Sequence, residues 1–383
     1  MSAAPEQAPT VLIAAFSGRA LAQSARRAGF LPLVVDCFGD EDARKASHDL
    51  ACLPARVQVG FVKRPLLAAL ERLAASAPST PLGLVLGAGF ECNPKLVAAL
   101  SERFPLLGNG AATIRRLKDP AEFFGALARL GIRHPETQLA PPADPKGWLM
   151  KRIGGSGGLH IHPCPAVFRP DPRRYFQREL QGEPISALAI ASPRGTAFAF
   201  TRQWASPKSK RPYRYGGAVS GGAIDPSLEA QLIDISLAVI REFAPAGLIS
   251  LDFVVTGGEP FLLEVNPRPG ATLDVLDDDT GSLFAAHMAA VRGENPGQLL
   301  QSRWRPPRAA AAAYLYADQG ALTVPAVSWP EWTADRPPPG TVIGRGQPLA
   351  TVRAEAPTPA AAELLCRERL GALASLMYEG SNK

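Results

Sequence analysis

The sequence predicts an α/β amino-terminal domain, an α+β central domain and a small β-rich carboxy-terminal segment. Three observations lead there. At 383 residues the chain exceeds what one ordinary hydrophobic core holds, so two or three domains are expected. The first hundred residues alternate short apolar runs with helical patterns, the order of a parallel sheet. The middle carries apolar runs separated by Gly-Gly, the mark of an antiparallel hairpin.

Taken in order, residues 11–16 (VLIAAF) read as a strand. Ser17-Gly18, a helical pattern through Ala28, the helix stop Gly29 and a second strand over 31–36 complete a βαβ unit. A strand over 82–86 leads into Gly87-Ala88-Gly89 and a helix near Asn93-Pro94. No GxGxxG follows the first strand, which argues against a dinucleotide site there. Two short helices, 109–116 and 120–130, meet near Lys118-Asp119. After a Pro-rich linker, the strand 148–153 (WLMKRI) runs into Gly154-Gly155-Ser156-Gly157-Gly158. Strands follow over 174–180, 185–191 and 196–201, then a basic loop over 206–217, SPKSKRPYRYGG. A helix over 226–243 precedes a hairpin, 247–256 and 259–265, turning at Gly257-Gly258, and a helix over 280–291. Beyond it come short strands (311–316, 341–343, 348–353) and a last helix, 359–377; there is no internal repeat.

Composition excludes several classes. Forty-one basic against 35 acidic residues give +6, with no block of like charge long enough for a nucleic-acid arm. No run of about 18 apolar residues exists, and MSAAPEQAPT lacks a basic and apolar leader, so the expectation is a soluble, cytoplasmic protein with no membrane contact. Cys37, Cys52, Cys92, Cys164 and Cys366 are scattered without CxxC spacing, so they read as reduced thiols rather than zinc ligands or disulfides.

The chemistry gathers at the end of the hairpin, FLLEVNPRPGATLD. Side chains alternate along a strand, so Glu264 and Asn266 share a face, and a suitable register adds Asp252 from the neighbouring strand. Two carboxylates and an amide oxygen make a hard-oxygen set that Mg²⁺ accepts when phosphates complete its shell. Arg268 brings a fork of donors for a phosphate or carboxylate. The same spacing also fits a solvated strand end where Glu264 pairs with Arg268. Upstream, the glycine loop after the Lys151 strand can lay backbone N–H groups over phosphates, with the lysine as a point charge. It lacks GK[ST], which excludes a Walker A motif, and a plain surface turn is the other reading. YFQRELQGEP ends a strand in a polar turn with Glu179 and Glu183, either a nucleotide hinge or ordinary surface glutamates. The five histidines form no triad, and His160 and His162 either face the site or the surface.

Lysine strand, glycine loop, acidic hinge, acidic hairpin and E-x-N-P-R occur in this order, and the sequence resembles the ATP-grasp superfamily over about residues 10–295. The resemblance implies a pre-ATP-grasp α/β domain over 1–107. It implies an ATP-grasp domain over 108–299, with a small lid subdomain over 108–176 and a large subdomain over 177–299, and the β-rich segment with its final helix over 300–383. It implies ATP and Mg²⁺, with Mn²⁺ as a substitute ion. Lys151 contacts ATP phosphate and Gly154, Gly155, Ser156, Gly157 and Gly158 cover it. Gln177, Glu179 and Leu180 line the adenine, Glu183 holds ribose, and Asp252, Glu264 and Asn266 bind the metal. Arg268 steadies the transferred phosphoryl or the substrate carboxylate. Many members have Asp-Lys where this chain has Asp119-Pro120, leaving only Lys118 nearby to take the phosphate role.

Such enzymes activate a carboxylate as an acyl phosphate that an amine then attacks, releasing ADP and phosphate. The short amino-terminal domain, GFE-x-N-P and the trailing β-rich segment resemble tyramine–glutamate ligases of methanofuran-type cofactor synthesis in one-carbon metabolism. That resemblance implies small-molecule carboxylate and amine substrates. Lys208, Lys210, Arg211 and Arg214 of the basic loop are candidates for the carboxylate-bearing substrate, against the reading of a mobile solvated loop. A carboxyphosphate-using carboxylase and a nucleotide-binding protein that has lost its chemistry are the alternatives. The carboxy-terminal segment is expected to act as a structural cap or homodimer contact.

Overall fold

The computed structural model describes residues 8–55, 59–167, 169, 171–206, 211–221, 224–300, 304–306 and 308–380. The amino-terminal part alternates strands and helices: β1 (Thr10–Ala14), α1 (Arg19–Arg27), β2 (Leu31–Asp36), α2 (Glu41–Ala46), β3 (Asp49–Cys52), α3 (Lys63–Ala75), β4 (Leu84–Leu86) and α4 (Pro94–Ser101). Its four strands form a parallel sheet in the order β3-β2-β1-β4. Both faces are covered, as a parallel sheet requires. One side packs Leu66, Leu70, Val97 and Leu100 of α3 and α4, and the other packs Leu21 and Ala22 of α1.

Two short helices, α5 (Ala111–Lys118) and α6 (Pro120–Arg129), lead into a small antiparallel sheet. Its strands are β5 (Thr137–Gln138), β6 (Trp148–Arg152), β7 (His162–Pro163) and β8 (Arg174–Arg178), in the order β5-β8-β6-β7. Next come β9 (Glu183–Ser192), β10 (Gly195–Ala205), β11 (Tyr215–Ser220), α7 (Pro226–Phe243), β12 (Gly247–Thr256), β13 (Glu259–Asn266), α8 (Leu273–Leu276) and α9 (Ser282–Val291). The remainder comprises β14 (Ala309–Tyr316), β15 (Leu322–Thr323), β16 (Thr333–Ala334), β17 (Val342–Ile343), β18 (Pro348–Ala356) and α10 (Pro359–Gly380).

Of the carboxy-terminal strands, β15 and β17 pair only with each other, while β14, β16 and β18 join the central sheet. β14 pairs with β11, and one eight-stranded sheet runs β13-β12-β9-β10-β11-β14-β18-β16. A free edge on β11 would leave its N–H and C=O groups unpaired, and β14 satisfies them. Ile249 and Leu251 of β12 pack on the α7 side with Leu232 and Phe243. Leu248, two places before Ser250 and four before Asp252, lies in the core shared with α1 and α9. β14, β18 and α10 enclose a separate core containing Val352, Cys366, Leu373 and Met377. Among the described residues no helix is long and apolar enough to cross a membrane.

Sequence and structure differ most at residues 206–217. The structure starts strand β11 at Tyr215, inside the stretch read as loop. Its YGGAVS sequence has little β-branched character, and its place comes from pairing with β10 and β14 on either side.

Candidate active site

The β12–β13 hairpin turns at Gly257-Gly258, whose φ values of 60° and 81° suit a two-residue hairpin turn. Its register sets Asp252 directly opposite Glu264 and Ser250 opposite Asn266, and β9 sets Ser186 opposite Asp252. Cross-strand partners project to one face, so these side chains meet. Ser186 Oγ donates to Asp252 Oδ1 at 2.6 Å, and Asn266 Nδ2 donates to Asp252 Oδ2 at 2.9 Å. The register shifts between Asp252 and Phe253, a bulge of the kind that re-aims side chains beside functional sites.

Lys118 enters this group from the last turn of α5. Its Nζ donates to Asn266 Oδ1 at 2.8 Å and Glu264 Oε2 at 3.2 Å. Asp119 explains why the lysine precedes it. The aspartate caps α6 by accepting from Glu122 N, and Pro120 occupies the first helical turn, where no N–H is needed. The lysine ammonium therefore stands among the oxygens that a cation would take.

Lys151 lies on β6, buried, and donates to Gln177 Oε1 on β8 at 2.5 Å. Its nearest partner is neutral, and burial, only partly countered by Glu264, lowers its ammonium to about 8. The two carboxyls move apart. Burial and the neighbouring Glu264 raise Asp252 to about 6. Burial would raise Glu264 as well, but Lys118, His160 and Lys151 outweigh it and bring that carboxyl to about 2. Such separation within one carboxylate pair is what a site of mixed charge produces.

Gly154–Gly158 forms turns between β6 and β7. A Cβ at Gly155 would sit 2.2 Å from His160 Cγ, so the loop backbone lies against the imidazole. His160 is buried, its Nδ1 has no partner, and burial lowers it to about 4, leaving it uncharged. It lines a cleft with Lys118, Gly154, Gly155, Tyr175 and Glu264. His162 lies on β7 and pairs in register with Met150.

Arg268 does not pair with Glu264. Its Nε donates to Glu91 Oε1 at 2.7 Å, and Gly89 N and Phe90 N donate to Glu91 Oε2. Glu91 is 3% exposed. Burial favours its neutral form, but Arg268 and Lys118 hold the carboxyl below its ordinary value. In the sequence, Glu91 leaves a single local signal, an acid in the Gly-flanked GFECNP turn. A second recess, between the amino-terminal sheet and the Pro267-Arg268-Pro269 turn, has this pair at its edge.

The remaining candidates are less closely grouped. Gln177 is buried against Lys151, and Glu179 and Leu180 follow β8, with the Tyr213 hydroxyl donating to Glu179. Glu183 is exposed at the start of β9, 3.6 Å from Arg202. Lys208 and Lys210 lie outside the described residues. Arg211 is exposed. Arg214 corrects the reading of the basic loop as a substrate-facing set: it is 1% exposed, and its guanidinium is committed to Asp318 and Ser206. Among the described residues no group of three or more His, Cys, Asp or Glu is placed to hold a metal. Asp252, Glu264 and Asn266 supply two carboxylates and an amide, a set that suits an ion whose other ligands are phosphate oxygens.

Residues 117–272 match the family model for the ATP-grasp domain. This part of the chain is similar to the ATP-grasp domain, and its fold is the ATP-grasp fold. Several solved structures share this fold across most of the chain. The ADP complex of N5-carboxyaminoimidazole synthetase from Staphylococcus aureus has a TM-score of 0.65 at 14% identity, covering 94% of this chain and 97% of the other. The L-amino acid ligase from Bacillus licheniformis has a TM-score of 0.68 at 12% identity, covering 96% and 98%. The biotin carboxylase domain of a single-chain bacterial carboxylase has a TM-score of 0.68 at 18% identity, covering 94% and 87%. In sequence, the chain is 23% identical over 239 residues to the carbamoyl phosphate synthase large chain of Myxococcus xanthus. It covers 22% of that protein's length with 56% of its own.

Proposed function

We propose that this ATP-grasp protein is an ADP-forming ligase that activates a carboxylate as an acyl phosphate and transfers the acyl group to an amine. The observation that supports this best is the opposition of Lys118 and Lys151 to Asp252, Glu264 and Asn266. A triphosphate needs cations along its length, and paired carboxylates would hold a divalent ion that supplies such charge. In this reading Gly154–Gly158 covers the phosphates and Lys151 contacts them. Gln177, Glu179 and Leu180 line the adenine and Glu183 reaches ribose. Asp252, Glu264 and Asn266 would hold Mg²⁺ or Mn²⁺, which would supply charge neutralisation at the phosphates. Lys118 then gives up Glu264 and Asn266 for a phosphate.

The reaction balances without a nucleophilic side chain. A substrate carboxylate oxygen attacks the γ-phosphorus and ADP leaves. The amine nitrogen attacks the acyl carbon, phosphate leaves, and the nitrogen loses a proton. Arg268, held at Nε by Glu91, steadies the transferred phosphoryl or the substrate carboxylate. The substrates we favour are glutamate and a tyramine- or tyrosine-like amine, in methanofuran-type cofactor synthesis. The decisive assay is ADP release with Mg²⁺ across amino acids and amines, with Glu264→Gln as blank. Release that needs both an acid and an amine supports the ligase. Equal turnover by Glu264→Gln would sink the metal assignment.

A second reading, a carboxyphosphate-using enzyme, draws on the likeness to the N5-carboxyaminoimidazole synthetase and the biotin carboxylase domain. Bicarbonate-dependent ADP release with no other acid present would favour it.

A further inference from the structure

We propose that Arg214 and Asp318 anchor a nucleotide lid, so that the carboxy-terminal segment sets how the glycine loop closes. The proposal rests on reading the Lys118–Lys151 cleft as the nucleotide site. A glycine loop has little side-chain surface of its own to fix its shape, and its backbone carries more conformational freedom than any other composition. Its order must come from what it touches. On one side that is residues 213–215. Tyr215 N donates to Gly157 O at 3.1 Å. At Gly158, where φ is 71°, an added Cβ would lie 1.6 Å from Tyr213 O. Backbone meets backbone there, and only glycine permits it.

The same residues are tied at two further points. The Tyr213 hydroxyl donates to the Glu179 carboxylate at the hinge after β8. Arg214, between the two tyrosines, points into the carboxy-terminal segment. Its Nη1 donates to Asp318 Oδ1 at 2.9 Å and its Nη2 to Asp318 Oδ2 at 2.6 Å. The guanidinium also lies 3.7 Å from the centroid of the Tyr316 ring. Tyr316 in turn donates its hydroxyl to Tyr215 O at 2.8 Å. A two-pronged guanidinium–carboxylate pair stacked on an aromatic ring is a stiff joint, because planarity and fork geometry are both used. The line of contact runs from β14 through Arg214 to Tyr213 and Tyr215, then to the glycine loop and the hinge glutamate. Arg214 and Asp318 are thus positioning residues, acting on nucleotide through the loop.

The test uses the full chain, a fluorescent ADP analogue with Mg²⁺ in stopped flow, and hydrogen exchange with and without MgADP. In the wild type, MgADP should slow exchange at 154–158 and 211–217 together. Asp318→Asn keeps the shape and removes the charge. It should release the analogue about fivefold faster or more, the order of one lost charged contact, and abolish protection at 154–158. Asp318→Glu should restore both. Tyr213→Phe breaks the hinge contact alone and should also speed release, so it decides the matter if Asp318→Asn does not fold. Wild-type binding with unchanged release and protection at 154–158 in the variant that folds would overturn the lid anchor. Absence of ADP binding by the wild type would instead overturn the nucleotide site, and the anchor with it.

Discussion

Two charged clusters among the described residues are built on opposite terms. At Arg19, 2% exposed, the cation itself is fully paired. Its Nε and Nη2 donate to Asp335 at 3.0 and 2.8 Å, and both Nη groups donate to Asp274. Ser17 and Thr351 hydroxyls also donate to Asp335. The cluster joins α1, α8 and the carboxy-terminal segment. Around Glu264 the pairing is incomplete. Lys118 divides its ammonium between one carboxylate and one amide, Lys151 has a neutral partner, and Asp252 stays close to a like charge. A cluster whose cation is fully paired fastens elements together. An unsaturated one, open to a cleft, is arranged for charges that arrive from outside.

The largest test of this contrast is Arg19→Ala. Removing the cation leaves buried carboxylates uncompensated, and stability in urea should fall by about 3–5 kcal/mol. A loss under about 1 kcal/mol would mean the cluster does not fasten the fold. Lys118→Met should weaken ADP binding about 10- to 100-fold, the worth of one charged hydrogen bond. Calorimetric titration reads it, and unaltered affinity would remove Lys118 from the site.

Asp252→Asn gives a subtler signal. A carboxyl raised from 3.8 to about 6 holds its proton more tightly when folded, so stability falls as pH rises between those values. Glu264 works the other way: lowered from 4.5 to about 2, it adds stability above 4.5 that is lost as pH falls toward 2. Melting temperature against pH in Asp252→Asn should lack the decline between pH 4 and 6; an unchanged slope would contradict the polarised pair. Smallest is Arg72→Ala, which breaks an exposed 2.9 Å pair with Asp49 and should cost under about 1 kcal/mol.

What could be read from sequence follows the range of the contacts. Asp252, Glu264 and Asn266 were legible because a hairpin is local and strands alternate. Lys118 was visible as a residue, but its destination, 146 and 148 positions away, was not. Glu91–Arg268 spans 177 residues and Arg19–Asp335 spans 316, so neither leaves a local pattern. Arg214 looked like one cation among several in a basic stretch. Its burial depends on Asp318, 104 residues on, and on a strand held between β10 and β14.

That shared sheet also bears on how the protein is made. When the chain leaves the ribosome in order, β9 to β13 can pair before residue 309 has been synthesised. Until β14 arrives, β11 shows an open edge in a nascent chain already carrying its apolar core. Open strand edges recruit other strands. A message truncated before Ala309 should therefore yield aggregate rather than a smaller folded protein, and chaperone demand should peak while the residues from Ala309 onward are still being added.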